Sequence, residues 1–178
     1  MYPLVRFAKE LVLNRWRPPL GITETHVSHH VCWPWDLDIW MELNNGRSLT
    51  LYDLGRIPLA GRIGLIAVLR RNRWGLTMAG ASVRYRHRVR VFDHVRMQSR
   101  LAGWDARFFY VEQSMWRRDG ACANHILYRA AVTGRDGIVA PFDVLTEMGH
   151  DGVAPALPDW ITAWIDAETQ RPWPPEQE

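Results

Sequence analysis

Cysteine is scarce in this chain: Cys32 and Cys122 are the only two. They stand far apart with no C-x-x-C spacing, which argues against a disulfide framework or paired-thiol zinc site and leaves two reduced, buried thiols as the expectation. Reduced thiols suit the cytoplasm, which is the expected location. Lysine is scarcer still: Lys9 is the only one among 22 basic residues, the rest being arginine, against 19 acids. With a formal charge of only +3 and no recognised binding motif, nucleic acid is not an expected partner. No apolar run reaches the roughly 18 residues a membrane-spanning helix needs. The opening MYPLVRFAKELVLNRW also lacks a small-residue cleavage site after a clean apolar core, so neither a membrane span nor a signal peptide is expected.

Several enzyme signatures are missing as well. There is no G-x-S-x-G elbow, no P-loop, no dinucleotide fingerprint and no H-E-x-x-H. His26, His29 and His30 cluster in a segment with rough strand alternation, but adjacent strand residues point to opposite faces and no carboxylate or thiol sits at a ligand spacing. No metal and no organic cofactor is expected.

What is present is a globular composition, 47% hydrophobic, at a length that predicts one folded unit. The chain is organised around residues 35–56, WDLDIWMELNNGRSLTLYDLGR. Asp36, Asp38 and Glu42 lead into Asn44-Asn45, and Asn is a preferred helix N-cap whose free N-H groups would face back toward the acidic loop. Leu49, Tyr52, Leu54, Ile57, Leu59, Ile63 and Leu65 then recur at helical spacings, predicting a buried helix from 45 to about 65. Residues 65–73 read as a short second helix ending in a basic turn. Residues 81–92, ASVRYRHRVRVF, alternate cleanly and read as the clearest strand, with Val83, Tyr85, His87, Val89 and Val91 on one face and Arg84, Arg86, Arg88 and Arg90 on the other. Further strands follow at 95–104, 107–116 and 122–133, with Asp119-Gly120 a hairpin signal.

At the ends, residues 1–22 predict an amphipathic helix whose apolar face, Leu4, Val5, Ala8, Leu11 and Val12, is expected to dock on the domain or a second subunit; membrane-surface contact is not expected. Residues 142–178 form a C-terminal extension in which 158–169 predict a helix with Trp160, Ile161, Trp164 and Ile165 as its packing side, before a frayed QRPWPPEQE. A long helix that only a curved antiparallel sheet is large enough to wrap is an α+β architecture.

This order of strand, acidic loop, wrapped helix and four long strands resembles the hotdog fold. The residues Asp36-Leu37-Asp38, Asn44-Asn45, Arg47 and Asp53-Leu54-Gly55-Arg56 resemble the 4-hydroxybenzoyl-CoA thioesterase-like acyl-CoA thioesterases, over residues 24–141. The resemblance implies hydrolysis of acyl-CoA or acyl-carrier-protein thioesters. It also implies Asp38 as the catalytic carboxylate, a backbone N-H near Asn44 or Asn45 polarising the carbonyl, and a homodimer or homotetramer built by pairing sheet edges. Two features depart from it: Glu42 stands where relatives often have His, and Ser48 where an aromatic is common. Glu42 could carry a proton or spoil the site. Arg84, Arg86, Arg88, Arg117 and Arg118 are candidates for the CoA phosphates, and Tyr52 is a further candidate substrate contact.

Each of these residues also has a plain structural reading. Asp36 and Asp38 could cap a turn, the arginine row could be a solvated sheet face, Tyr52 could be core, and His87 and His125 could be satisfied strand residues. The alternative to hydrolysis is a non-catalytic hotdog module that binds acyl-CoA or acyl chains, with Glu42 marking a decayed site.

Overall fold

In the computed structural model, residues 2–176 are described. Six antiparallel strands form one sheet: β1 (His26–Val31), β2 (Gly75–Tyr85), β3 (His94–Trp104), β4 (Phe109–Arg117), β5 (Cys122–Gly134) and a short β6 (Gly137–Val139). Their spatial order is β1-β3-β4-β5-β2, with β6 added to β5, so β1 and β2 are edge strands. Three successive hairpins account for β3 to β6, as the turn signals at Asp119-Gly120 and Arg135-Asp136-Gly137 predict.

The expected central helix is present in two pieces, α2 (Asn45–Leu51) and α3 (Asp53–Arg62). Tyr52 between them keeps right-handed helical angles and its N-H still reaches the Ser48 carbonyl, so the run stays continuous in direction. It ends just before Gly64, whose positive φ of 87° suits glycine, and α4 (Leu65–Asn72) follows. Tyr52, Leu54 and Leu59 bury against Met97, Leu101, Met115, Ile126 and Val132 of the sheet. Each such side chain contributes about 1.5–3 kcal/mol of transfer free energy. The helix sits close: a Cβ added at Gly55 would collide with Ser99 Oγ and Met97 Sδ. Gln113 Nε2 fastens the same place by donating to the Tyr52 carbonyl at 2.9 Å and to Ser99 Oγ at 2.7 Å.

Both C-terminal helices pack on this unit. α5 (Pro141–Glu147), in a stretch whose sequence shows no period, places Val144 and Leu145 in the main core. α6 (Asp159–Gln170) covers the sheet's other face, with Ile161, Trp164 and Ile165 against Ala102, Tyr110 and Leu127. Residues 171–176 carry no helix or strand, and the last two residues of the tail expected to fray lie outside the described residues.

Two expectations need correction. The alternating segment 81–92 leaves the sheet at Tyr85, where the N-H groups of Arg86 and His87 both turn to the Ala123 carbonyl. β2 instead begins at Gly75, and the extended remainder pairs with the acidic loop through Leu43 N to Val89 O at 2.8 Å and a Glu42–Arg90 bridge. Alternation predicted an extended chain correctly but could not name its partner. The second correction concerns α1 (Leu4–Asn14) on the domain itself, where it docks through its polar side and leaves its apolar face to the other expected partner, a second subunit. Arg6 reaches Asp36, Asn14 Nδ2 donates to the Pro58 carbonyl at 3.2 Å, Glu10 is buried, and Phe7 packs on the core. The apolar positions meant for docking face outward, Leu4 being 68% and Val5 86% exposed.

Polar contacts hold these pieces together. Asp36 is fully buried and accepts two bonds from Arg6 at 2.8 and 2.7 Å, one from Arg47 Nε at 2.7 Å and one from the Trp33 N-H at 3.0 Å. Burial pushes its carboxyl up, but these donors outweigh burial and hold it below the usual carboxylate range. Alternation along β1 turns His26, Ser28 and His30 inward and leaves His29 exposed. Burial and the Arg17 and Arg62 guanidinium groups lower His26 to about 4, and burial with Lys9 and Arg6 lowers His30 to about 3.

Asp36→Ala strands two guanidinium groups and should cost about 3–5 kcal/mol of unfolding free energy, read by urea denaturation; a loss below about 1 kcal/mol, the worth of a surface pair, would contradict the clamp. The histidines give a pH signature. Folding keeps His26 and His30 neutral while the unfolded chain takes up protons below about 6.5. Stability should therefore fall as pH drops from 6.5 toward 4, and His26→Gln should flatten that slope in thermal melts.

Candidate active site

The acidic loop is a small hairpin closed by a Leu37–Leu43 bridge. Asp38 N donates to the Glu42 carbonyl at 2.9 Å, and Met41 at the tip takes a positive φ of 59°. Ile39, Trp40 and Met41 are exposed at this tip. Asp38 is half-buried, and its Oδ1 accepts the Trp40 N-H at 2.9 Å and the Glu42 N-H at 3.5 Å, the turn-capping role open to any Asp at such a place.

Where the hairpin ends, Asn44 caps α2: its N-H donates to the Asp36 carbonyl at 2.9 Å and its Oδ1 accepts the Arg47 N-H at 2.9 Å. The first N-H groups of a helix have no partner inside it. With the Arg47 N-H taken by the cap, the Asn45 and Gly46 N-H groups are left at the helix mouth, at the positive end of the run through α3.

A groove of about 160 Å³ opens beside this mouth, lined by Glu42, Asn45, Tyr85, Arg86, His87, Arg88 and Asn124, with Leu43 and Val89 as its apolar floor. Glu42 Oε2 lies 2.8 Å from Arg88 Nε, an ion pair partly open to water. Tyr85 OH donates to the Asn45 carbonyl at 3.0 Å. Tyr52 OH hydrogen-bonds the Asn124 side chain and donates to its carbonyl at 3.2 Å. Burial, with the neighbouring Cys122, Tyr128 and Tyr85, raises the Tyr52 phenol far above the ordinary value and keeps it a donor. The groove thus holds a carboxylate, Glu42, and the first residue of α2, Asn45, in one lining.

The structure thus brings together Glu42, Asn45, Arg86 and Arg88, with Asn44 capping just behind. Asp38 stands behind the groove and contributes no wall to it. Tyr52 is fully buried, because its ring fills the space between helix and sheet, so it meets the groove only through Asn124. Arg117 Nη1 donates to the Arg88 carbonyl at 3.1 Å, next to Arg118 on the rim of a neighbouring surface groove that includes His94. Arg84 is exposed on edge strand β2 outside the groove. Tyr85, His87 and Asn124 were not singled out for the site by sequence. Asn124 carried a usable signal, an amide that alternation puts on the same strand face as Ile126, Tyr128, Ala130 and Val132, since a buried amide needs partners. Tyr85 and His87 alternate with the arginines and gave none.

The geometry matches known proteins over most of its length. Residues 32–165 fit the family model for the thioesterase-like superfamily, a span reaching from the end of β1 into α6. Protein THEM6 of Drosophila melanogaster is 27% identical over 148 residues, covering 82% of this chain and 75% of that protein. Among solved structures, a Lactobacillus plantarum protein provisionally described as an oleoyl thioesterase superposes with a TM-score of 0.66 at 15% identity, over 88% of this chain. The present chain spans 59% of that protein's length. The Streptococcus mutans protein smu.793, solved with acetyl CoA bound, gives 0.53 at 12% identity, over 65% of this chain and 86% of that one. The curled antiparallel sheet around a central helix is the hotdog fold expected from the sequence, and the chain belongs to the thioesterase-like superfamily.

Proposed function

We propose that the protein hydrolyses acyl-CoA thioesters in the groove at the mouth of α2. The observation that carries this is Glu42 lining the same groove as the first turn of the central helix. The thioester carbonyl points its oxygen at the Asn45 and Gly46 N-H groups, which stabilise the charge that develops on it. Glu42 takes a proton from water as that water attacks the carbonyl carbon; the C-S bond then breaks, and the proton held on Glu42 passes to the departing thiolate, giving the free acid and the thiol and restoring the carboxylate. Asp38 is then a positioning residue, fixing the Glu42 N-H and the turn. Arg86 and Arg88 on the wall, with Arg117 and Arg118 beyond, offer a basic track for the CoA phosphates. Support for CoA as carrier comes from family membership and from the acetyl CoA bound by the distant relative smu.793.

Self-association belongs to the same reading. β2 presents an unpaired edge from Gly75 to Tyr85, whose last residue lines the groove, so edge pairing of two copies would bring a second subunit up to each site.

Thiol release from a panel of acyl-CoAs, followed with a thiol reagent, tests the proposal. Glu42→Gln should lower kcat by about 10²–10⁴, the usual worth of a general base, with KM little changed, and Asp38→Asn should lower it less. Full activity in Glu42→Gln removes Glu42 from the mechanism. Tight acyl-CoA binding with no turnover by the unmodified protein would make the groove that of a binding module.

A further inference from the structure

One wall of the groove ends on a buried amide. Asn124 is 4% exposed and lines the groove, so the little of it that water reaches is reached from there. Both of its oxygens are engaged from behind: the Tyr52 hydroxyl donates to the main-chain carbonyl at 3.2 Å and bonds Oδ1 of the side chain. The Tyr52 oxygen also takes the Met115 N-H, so the single phenol proton is directed at Asn124. That arrangement turns Oδ1 inward and leaves Nδ2 toward the groove. Asn124 Nδ2 has no partner among the described residues. A buried amide donor left open is costly until an acceptor or water bonds it.

The other polar groups nearby already have their partners. Ser48 Oγ and Tyr85 OH both donate to the Asn45 carbonyl, at 2.6 and 3.0 Å. In the proposed hydrolysis the thioester oxygen belongs to the Asn45 and Gly46 N-H groups, which leaves Asn124 for a different part of the acyl group. A plain alkyl tail finds little to hold it, since Leu43 and Val89 are the groove's apolar residues. An apolar cavity does exist under the far end of the central helix, lined by Leu59, Ile63, Met78, Ala130 and Leu145 among others. Asn45 in the groove and Leu59 in that cavity stand fourteen residues apart, roughly 20 Å at about 1.5 Å per residue. Buried Tyr52 on the helix, and Ile126 and Tyr128 between Asn124 and Ala130 on β5, fill the interval.

We propose that Asn124, oriented by Tyr52, reads the acyl group, so that the groove selects short acyl groups carrying an oxygen acceptor, such as 3-oxo- and 3-hydroxyacyl thioesters, over alkyl chains of the same length. The inference rests on the proposed hydrolysis and names the acyl class for the same groove. Asn124 Nδ2 donates to the acyl oxygen, and Tyr52 is a positioning residue that does not meet the substrate. An alkyl analogue leaves the amide desolvated and unbonded, and that loss is what discriminates.

Steady-state hydrolysis of acetoacetyl-CoA, 3-hydroxybutyryl-CoA, butyryl-CoA and palmitoyl-CoA by the full chain tests it. The expected kcat/KM for the two oxygenated thioesters exceeds that for butyryl-CoA by about tenfold or more, with palmitoyl-CoA poorest. Asn124→Leu should bring that ratio to about one. Tyr52→Phe keeps the ring but releases the amide, and it should lower the ratio severalfold; it carries the test if Asn124→Leu fails to fold. A preference for butyryl-CoA or palmitoyl-CoA overturns the proposal, as does a ratio that survives in both variants. An equal fall for oxygenated and alkyl thioesters also overturns it, by making Asn124 a donor to the thioester carbonyl. Should no thioester be hydrolysed, the proposed activity fails, and calorimetric titration with acetoacetyl-CoA and butyryl-CoA decides this inference separately. Tighter binding of acetoacetyl-CoA that is lost in Asn124→Leu supports it, and equal binding overturns it.

Discussion

The buried carboxylate of Asp36 is the interaction on which the arrangement of the site depends. One acid, removed from water, joins three separate parts of the chain: Arg6 of α1, Arg47 in the first turn of α2, and the Trp33 N-H at the end of β1. Its own main chain completes the joint, since the Asp36 carbonyl accepts the Asn44 N-H. A buried ion pair is not in itself a source of stability, because the desolvation of the partners offsets much of their attraction. What it supplies here is register. The charges leave few alternative positions for the helix mouth relative to β1.

That register has consequences for the loop beyond. With Asp36 and Asn44 fixed, residues 37–43 must turn back within a short span, and the Asp38 carboxylate and the left-handed Met41 make that turn. Glu42 comes out of it beside the extended segment that has left β2, so its carboxylate pairs with Arg88 and lines the same groove as Asn45 at the helix mouth. The Asp-x-Asp sequence therefore divides its labour by burial. Asp36 is a structural anchor, whereas Asp38 stays half-buried and shapes the turn that delivers the next acid.

Much of this was legible in the residues, for identifiable reasons. The N-cap at Asn44, the turns after β4 and β5 and the strands β3 to β5 follow from short-range preferences: side-chain capping, glycine in left-handed turns and period-two alternation. The family resemblance located the acidic loop and the fold. What failed were two questions of partner. Alternation in 81–92 specifies an extended backbone, but the switch from the sheet to the acidic loop comes where Arg86 and His87 meet Ala123, at an irregularity in the β4–β5 pairing that the segment's own pattern does not contain. Amphipathicity in α1 specifies two faces, but which one docks was decided by Asp36 and His30, residues that local pattern cannot consult.

The replacement of the expected histidine by Glu42 can be judged from the charges around it. A neutral imidazole in the groove would leave Arg86, Arg88 and the helix mouth with only the substrate to neutralise them. A carboxylate adds a negative charge close to where the oxyanion forms, and taken alone that repulsion would raise the barrier. Arg88 changes the balance, because it sits within ion-pair distance of Glu42 and on the wall of the same groove. In the proposed hydrolysis, a proton passing from water to Glu42 would move negative charge from the carboxylate to the carbonyl oxygen, and the positive groups present throughout would follow that transfer with little rearrangement. The acid at position 42 and the arginine at 88 thus form one unit in which neither would suit the groove without the other.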